Sequence, residues 1–368
     1  MRTIQVVFLV ASFLVRAKAE NEEEVRPCAI PPQPSHGSYT FYYISEEKYM
    51  GQPNDFILNV TCDPGYGLVG ENRVVCLAGH WFDQMPECIP CGTLPLPLPT
   101  LRILAGGHYA DGRELPWHAA IYTKTTNPHM QICGGSLVSK AAVISAAHCF
   151  WSEASQKIEP KEDYTIALGK IYRPWNAEEH DAQKFDVSDI KIPPRFQGSV
   201  TNFQDDIAIV ILSGEVSIDD ELKPICLSFD YSFDKEQLKP GALGKTGGWG
   251  LTSEDGKYSP TLMVAELPYI DIEPCIAGVT PSFKPHITSD KICAGYTNGT
   301  AVCKGDSGGG LAFRNDGRYY LRGIVSTAPT SDHLCNVYSW ATFTHIQKHE
   351  HFIRQFVEFE EPVKEEEL

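Results

Sequence analysis

A chain of 368 residues is longer than one ordinary domain and predicts two or three. Its hydrophobic fraction of 42% supports packed cores, and its charged fraction of 21% is ordinary for a globular protein. The formal net charge of −16 gives the chain no electrostatic means of holding nucleic acid or an anionic membrane. We therefore expect neither class of partner.

The first residues have the pattern of a secretory signal. A basic start at Arg2 precedes an apolar run from Ile4 to Val15, and a small-x-small triplet ends at Ala19. A membrane anchor is the competing interpretation, but the run is short for a bilayer and Arg16 closes it. We expect cleavage after Ala19 and a secreted, extracellular protein.

The chain contains 12 cysteines, which we expect to form disulfides because the secretory route is oxidising. Metal ligation is the alternative use of so many cysteines. Zinc sites need paired Cys-x-x-Cys or His clusters, and Cys88-Ile89-Pro90-Cys91 is the lone near-match in the sequence. No metal and no cofactor is predicted.

Composition divides the chain into six segments. They are the signal peptide (1–19), an acidic lead (20–27), a small cysteine-rich module (28–90), a proline-rich linker (91–102), a large domain (103–357) and an acidic tail (358–368). Short apolar runs punctuated by Gly and Pro predict an all-β large domain, with strands at 119–122, 135–138, 142–145 and 207–211. Residues 345–356 predict a terminal amphipathic helix.

The small module resembles a sushi (complement control) repeat. The resemblance is carried by its four cysteines, by the run Cys62-Asp-Pro-Gly-Tyr, and by Trp81 just before Cys88. It implies the bridges Cys28–Cys76 and Cys62–Cys88 with Trp81 in the core, although four cysteines by themselves leave three pairings open. Sushi repeats usually bind other proteins, so the module is either a binding site for a recognition protein or a passive spacer.

Three separated motifs carry chemistry in the large domain. They are Ser145-Ala-Ala-His148-Cys149, Asp206-Ile-Ala-Ile-Val and Cys303-Lys-Gly-Asp-Ser307-Gly-Gly-Gly310. A serine hydroxyl is a poor nucleophile at neutral pH, so acyl transfer needs an adjacent base and a buried carboxylate that fixes the tautomer of that base. Each motif alone has a structural explanation, as a core histidine, a strand cap or a glycine turn. Together, in the order His148, Asp206 and Ser307, they predict a catalytic triad.

With these motifs the chain resembles the chymotrypsin family from Ile103 to about Phe356. The resemblance implies two packed six-stranded β-barrels with the triad between them, and a serine endopeptidase that works through an acyl-enzyme. Gly305 and Ser307 are the implied N–H donors of the oxyanion hole. The implied bridges are Cys133–Cys149, Cys275–Cys293, Cys303–Cys335 and Cys91–Cys226.

The segment Leu101-Arg102-Ile103 matches the activation site of this family. Cleavage after Arg102 would free the ammonium group of Ile103 to pair with Asp306, so the protein is predicted to be a zymogen. Pairing a buried carboxylate in this way would lock an otherwise loose pocket and oxyanion hole.

The predicted specificity pocket departs from that of trypsin. Ala301 stands where the family pattern has the pocket base, and a neutral base offers no partner for a buried Arg or Lys. The resemblance implies that Ser326 lines the strand that receives the substrate, and that Thr327 and Ala328 stand in place of the family's usual Trp and Gly of the pocket walls. We therefore predict a preference for neutral, apolar side chains before the scissile bond, and hence a separate trypsin-like protease as the upstream activator.

Within the family the chain resembles insect modular serine proteases that begin immune cascades. The segments Gly248-Trp-Gly250, Glu266-Leu-Pro-Tyr-Ile and Ala341-Thr-Phe-Thr carry this resemblance, together with the third glycine at Gly310. It implies downstream protease zymogens as substrates.

Asn59 and Asn298 begin the two sequons and are predicted glycosylation sites.

The main alternative to the protease interpretation is a catalytically weak homologue that acts as a binding protein. A purely structural sushi adhesion protein is the third alternative, and it leaves the intact triad unexplained.

Overall fold

The computed structural model describes most of the chain between residues 28 and 357. The described residues are 28–43, 48–49, 52–53, 56–62, 66–69, 73–77, 79–82, 85–94, 108–110, 114–219, 221–251, 257–299, 301–331 and 334–357. The predicted signal peptide (1–19), the acidic lead (20–27), Arg102, Ile103 and the acidic tail (358–368) lie outside them. Within the described ranges, no helix has the length and apolar character needed to cross a membrane.

The small module consists of short antiparallel strands around its own core. The strands are β1 (Gly37–Tyr43), β2 (Lys48–Tyr49), β3 (Gln52–Pro53), β4 (Phe56–Cys62), β5 (Tyr66–Val69), β6 (Arg73–Leu77), β7 (His80–Trp81) and β8 (Glu87–Pro90). Strands β1, β4, β6 and β7 form a four-stranded sheet, and β5 pairs with β8. Phe56, Leu58 and Val60 alternate along β4 and are all buried, because successive side chains of a strand point to opposite faces.

Two disulfides fasten this module, Cys28–Cys76 and Cys62–Cys88. They are the pairings that the sushi resemblance implies, and Trp81 packs against the same core. A module of this size buries little apolar surface, so such bridges supply stability that its core cannot.

The linker fastens the small module to the large domain. Cys91 forms a disulfide with Cys226, 135 residues further along the chain. Next to it, the Gly92 N–H donates to the Pro224 carbonyl (2.8 Å), and the Gly92 carbonyl accepts from the Tyr319 N–H (2.8 Å). The first residues of the linker are therefore part of the surface of the large domain.

The first half of the large domain is a closed antiparallel barrel. After β9 (His108–Tyr109), the strands are β10 (His118–Thr123), β11 (Met130–Ser139), β12 (Ala142–Ser145), β13 (Trp151–Ser152), β14 (Lys157–Ile158), β15 (Tyr164–Leu168), β16 (Gln183–Lys191) and β17 (Ala208–Leu212). The barrel order is β10, β11, β12, β17, β16, β15, and β13 pairs with β14 outside it. Ile121, Val143, Ile144 and Ile209 are fully buried, and β-branched residues are favoured on strands.

The second half is another barrel. Its strands are β18 (Leu243–Gly248), β19 (Met263–Ile270), β20 (Lys291–Ala294), β21 (Gly310–Asn315), β22 (Arg318–Thr327) and β25 (Ala341–His345); β23 (Thr330–Ser331) and β24 (Leu334–Cys335) form a separate hairpin. The order is β18, β21, β22, β25, β20, β19, and the pairing of β18 with β19 closes the barrel. The two six-stranded barrels predicted from the resemblance are thus confirmed.

Over the residues that the structure describes, the helices are few and short. The α-helices are α1 (Tyr231–Gln237), α2 (Ile272–Gly278) and α3 (Glu350–Ile353), and 3₁₀ turns occur at Ala147–Phe150, Lys161–Asp163, Gly198–Thr201, Lys284–His286 and Ile346–His349. The terminal helix is shorter than the predicted 345–356, since a 3₁₀ turn precedes α3 and the helix ends at Ile353. Ile346 and Ile353 are fully buried and belong to the largest core cluster of the domain, so the predicted apolar face is a buried one.

Further disulfides join segments of the large domain, Cys133–Cys149 and Cys275–Cys293. Cys303 is also disulfide-bonded. The side chain of Cys335, its predicted partner, lies outside what the structure describes.

Candidate active site

His148 lies at the rim of the first barrel, in the 3₁₀ turn that follows β12. The disulfide from Cys149 to Cys133 ties this turn to β11. The backbone N–H of His148 donates to Oδ1 of Asp206 (2.9 Å), and its Nδ1 lies 2.8 Å from Oδ2 of the same carboxylate. Because a carboxylate only accepts hydrogen bonds, this contact places the proton on Nδ1 and leaves Nε2 as the acceptor.

Asp206 is fully buried where the two barrels meet. Its Oδ2 also accepts from Ser326 Oγ (2.5 Å) on β22, and its backbone carbonyl accepts from Thr344 Oγ1 (2.9 Å) on β25. Burial by itself would raise the pKa of Asp206, but the charge and hydrogen bond of His148, with the charge of Lys291, hold that pKa below its ordinary value. Asp206 is therefore ionised and oriented by groups from both barrels.

Ser307 lies on the loop before β21 of the second barrel and is partly exposed. Its carbonyl accepts from the Gly134 N–H (2.7 Å) of β11, in the first barrel. The next residue, Gly308, has φ +80°, and a Cβ there would lie 2.2 Å from Ser145 Oγ at the end of β12. Only glycine allows this approach, which holds the serine loop against the strand that leads into the turn of His148.

The structure thus brings His148 and Asp206 into direct contact and holds the loop of Ser307 beside them. Among the described residues, no hydrogen bond joins Ser307 Oγ to the imidazole. In unliganded sites such a bond is often long and tightens only when substrate is present. The geometry is that of a base already oriented by its carboxylate, with a hydroxyl available in the neighbouring loop.

The carboxylate of Asp306, the residue before Ser307, is hydrogen-bonded within the second half of the large domain. Its Oδ1 accepts from the Gly250 N–H (2.8 Å) and its Oδ2 from the Cys303 N–H (2.9 Å). Burial raises the pKa of Asp306 to about 6, against these two hydrogen bonds, which lower it. Arg102 and Ile103, the predicted activation residues, lie outside the described ranges.

The predicted pocket residues lie on two segments of the second barrel. Ser326 and Thr327 end β22, where Thr327 Oγ1 is 2.6 Å from Thr342 Oγ1, and Ala328 packs against the barrel core. Ala301 lies on the loop that leads into the serine loop and is partly buried. Of these residues, the structure brings Ser326 to the carboxylate of Asp206; the pocket-base role of Ala301 stays a prediction.

One part of the site was missed in the sequence. Lys291 is buried on β20, donates to the Phe203 carbonyl (2.7 Å) and to Thr344 Oγ1 (2.9 Å), and lies 3.5 Å from Oδ2 of Asp290. Thr344 in turn binds the backbone of Asp206. A lysine within the apolar run Lys291-Ile-Cys-Ala was the available signal, since an ammonium on a buried strand needs partners.

The predicted glycosylation asparagines both reach the surface. Asn298 is exposed on the loop after β20, and Asn59 is partly exposed on β4, on the face opposite the core of the small module. Thr300, the acceptor-site threonine of the second sequon, lies outside the described residues.

The large domain consists of two six-stranded antiparallel barrels. The first carries the His–Asp pair, and the second carries a serine loop bounded by glycines. This arrangement defines a chymotrypsin-like serine protease domain. The sequence profile described as Trypsin matches residues 104–348, and the profile described as Sushi repeat (SCR repeat) matches residues 28–88. The chain therefore belongs to the trypsin family and carries a sushi repeat ahead of its trypsin domain.

Several characterised proteins are similar to this chain. Limulus clotting factor C of Carcinoscorpius rotundicauda is 32% identical over 309 residues, which are 81% of this chain and 30% of that protein. The modular serine protease of Drosophila melanogaster is 28% identical over 288 residues, 75% of this chain and 43% of that protein. Human mannan-binding lectin serine protease 1 is 28% identical over 330 residues, 81% of this chain and 43% of that protein. The chain spans less than half the length of these relatives.

Proposed function

We propose that this protein is a secreted serine endopeptidase zymogen that hydrolyses peptide bonds through an acyl-enzyme. The observation that carries the proposal is the 2.8 Å contact between His148 Nδ1 and the fully buried carboxylate of Asp206. A buried aspartate bonded to a partly exposed imidazole, beside a serine held by glycines, is the arrangement that makes a hydroxyl nucleophilic.

In the proposed reaction, Ser307 Oγ attacks the carbonyl carbon of the scissile bond while His148 Nε2 takes the hydroxyl proton. The electron pair of the carbonyl moves onto its oxygen, and Asp206 stabilises the imidazolium without taking its proton. His148 then gives the proton to the leaving nitrogen as the carbon–nitrogen bond breaks. Water, deprotonated by the same imidazole, releases the acyl group from Ser307.

The developing oxyanion would be stabilised by the backbone N–H groups of Gly305 and Ser307. Donors fixed in advance at such a position are worth more than in water, because they need no reorganisation as charge develops. The backbone around them is well held: the Lys304 carbonyl accepts from the Leu251 N–H (3.2 Å), and the Ser307 carbonyl accepts from Gly134.

Activation is proposed to follow cleavage after Arg102. The new ammonium of Ile103 would pair with Asp306, whose buried carboxylate has a raised pKa and therefore gains from a cationic partner. The Cys91–Cys226 bridge would keep the sushi repeat attached to the active enzyme.

For specificity, the neutral Ala301 at the proposed pocket base favours substrates with a neutral, apolar residue before the scissile bond. An enzyme of this preference would cleave its own activation bond poorly, so we propose a separate trypsin-like activator. Purified wild-type protein that rapidly cut itself at Arg102, while Ser307→Ala did not, would refute this part of the proposal.

The physiological role is proposed to be an early step of an extracellular proteolytic cascade of insect innate immunity, with downstream protease zymogens as substrates. The support is the resemblance to relatives named as a clotting factor, a modular serine protease and a proclotting enzyme. The sushi repeat would bind a recognition protein, as sushi repeats commonly bind other proteins.

The test is labelling by a serine-reactive fluorophosphonate before and after cleavage at Arg102 by a trypsin-like protease, which is removed before labelling. Label should appear only after cleavage and vanish in Ser307→Ala, while Ser155→Ala, which changes an exposed serine, should label like wild type. Absence of label in the correctly cleaved, folded protein would favour a binding homologue that acts through its surfaces.

A further inference from the structure

The backbone at Gly305 is anchored on both sides. The peptide plane before it is held through the Lys304 carbonyl, which accepts from the Leu251 N–H (3.2 Å), and the plane after it through the Gly305 carbonyl, which accepts from Gln131 Nε2 (3.0 Å). Gly305 has φ +101°, a region where glycine turns freely, so its own stereochemistry does not set the direction of its N–H. That direction depends on these two anchors and on the Asp306 N–H of the same following plane, which donates to the Cys303 carbonyl (2.9 Å).

Both ends of the Gln131 side-chain amide are hydrogen-bonded at this place. The side chain is 3% exposed at the start of β11, and Nε2 donates to the Cys133 carbonyl (3.0 Å) as well as to Gly305. Its Oε1 accepts from Arg173 Nε (3.0 Å), and its backbone carbonyl accepts from Arg173 Nη2 (3.1 Å). An arginine donates and never accepts, so Arg173 fixes which end of the amide faces Gly305.

Arg173 also supports the other wall of the same loop. Its guanidinium lies 4.0 Å from the centroid of the Tyr258 ring, a cation–π contact. That ring covers Gly305 so closely that a Cβ on the glycine would lie 2.9 Å from it. Gln131, Arg173 and Tyr258 come from three separate loops or strands and converge on one glycine.

We propose that Gln131, with its amide orientation fixed by Arg173, is a positioning residue for the oxyanion hole. Its donor to the Gly305 carbonyl keeps the Gly305 N–H directed at the site where negative charge develops. This inference rests on the proposed function, because it gives the Gly305 N–H a task only if acyl transfer occurs. Removal of a whole oxyanion donor lowers kcat about 10² to 10³-fold, so a misdirected donor should lower it about 10 to 100-fold.

Gln131→Glu separates this role from a purely structural one. Glutamate keeps an acceptor for Arg173 and adds an ion pair, but it loses both donors, including the one to Gly305. Gln131→Met removes donors and acceptor at similar size. Gln183→Met is the matched control, since Gln183 also donates to a backbone carbonyl, that of Ser217 (2.8 Å), in the first barrel away from the serine loop.

The experiment uses the full chain cleaved at Arg102, with fluorophosphonate labelling of wild type first and then kcat and KM on one peptide substrate. We expect Gln131→Glu and Gln131→Met to lose about 10 to 100-fold in kcat with KM within about threefold of wild type, and Gln183→Met to stay within twofold in both. A folded Gln131→Glu enzyme with the wild-type kcat overturns the inference and leaves the proposed function intact.

If neither Gln131 variant folds, Arg173→Met decides the question, since it removes the hydrogen bond that Gln131 Oε1 accepts and the cation–π contact that holds Tyr258 over Gly305. A loss of threefold or more in kcat at unchanged KM supports the inference, and an unchanged kcat overturns it. A cleaved wild-type protein that takes up no fluorophosphonate refutes the proposed function, and this inference with it.

Discussion

Replacing Asp306 by asparagine is expected to stabilise the uncleaved chain at pH 8. The carboxylate of Asp306 is bonded to two backbone N–H groups, yet burial raises its pKa from the ordinary 3.8 to about 6. A tenfold change in an acid constant is about 1.4 kcal/mol, so above pH 6 the ionised group destabilises the fold by about 3 kcal/mol. Asparagine removes that charge but satisfies only one of the two N–H donors, a loss of about 1 kcal/mol.

The net expectation is a gain of about 2 kcal/mol in the free energy of unfolding at pH 8. The sign of the stability difference between the variant and the wild type depends on pH. The folded-state pKa lies above the unfolded one, so the destabilisation is fully present above pH 6 and is lost as the pH falls towards 3.8. Near pH 4 the lost hydrogen bond should remain, and the variant should be slightly less stable than the wild type.

Urea unfolding of the uncleaved, disulfide-intact chain measures the free energy of unfolding at pH 8 and at pH 4. At pH 8 the thermal midpoint should rise by about 4 to 8 °C, given the size of the trypsin domain. Asp181→Asn, at an exposed aspartate, is the control and should change neither the free energy of unfolding nor the thermal midpoint. Destabilisation of Asp306→Asn at pH 8, or the same effect at both pH values, would refute the reasoning. The cleaved variant should be inactive, because an amide cannot pair with the ammonium of Ile103.

Three further changes test other parts of the structure. Ala301→Asp should raise the ratio of kcat/KM for Arg substrates to kcat/KM for apolar substrates by about 100-fold or more, because the new buried carboxylate pairs with the guanidinium. An unchanged ratio would contradict the assignment of Ala301 to the pocket base. In Cys91→Ser/Cys226→Ser, cleavage of the activation bond should release the sushi repeat on a non-reducing gel, whereas the wild type should migrate as one species. Lys291→Met should lower the free energy of unfolding by about 3 kcal/mol, since it removes a buried cation beside the buried Asp290, whereas the exposed Lys348→Met should have little effect.

The serine protease interpretation was within reach of the sequence because its signals are local. The motifs around His148, Asp206 and Ser307 are each a few residues long, and their order along the chain distinguishes the chymotrypsin arrangement from other hydrolases. The sushi repeat was equally accessible through its cysteines and Trp81. Short apolar runs between turn residues predicted strands that overlap β10, β11, β12 and β17.

The contacts around the oxyanion loop were beyond prediction from the sequence. Gln131, Arg173, Tyr258 and Gly305 are widely spaced along the chain, and no motif joins them. The same holds for Lys291, whose partners come from β25 and from the segment before β17. The length of the terminal helix also differed, since helical periodicity predicts a face but locates ends poorly.

By itself, the amino-acid sequence determined the class of protein, the two modules and the residues expected to carry out the chemistry. These follow from short motifs whose residue types the chemistry requires. Only the tertiary structure decided how those residues are held: the buried Asp206 between the barrels, the raised pKa of Asp306, and the anchoring of Gly305 by Gln131. The physical reason is that hydrogen bonds and desolvation act through space, so they depend on which distant segments the closed barrels bring together.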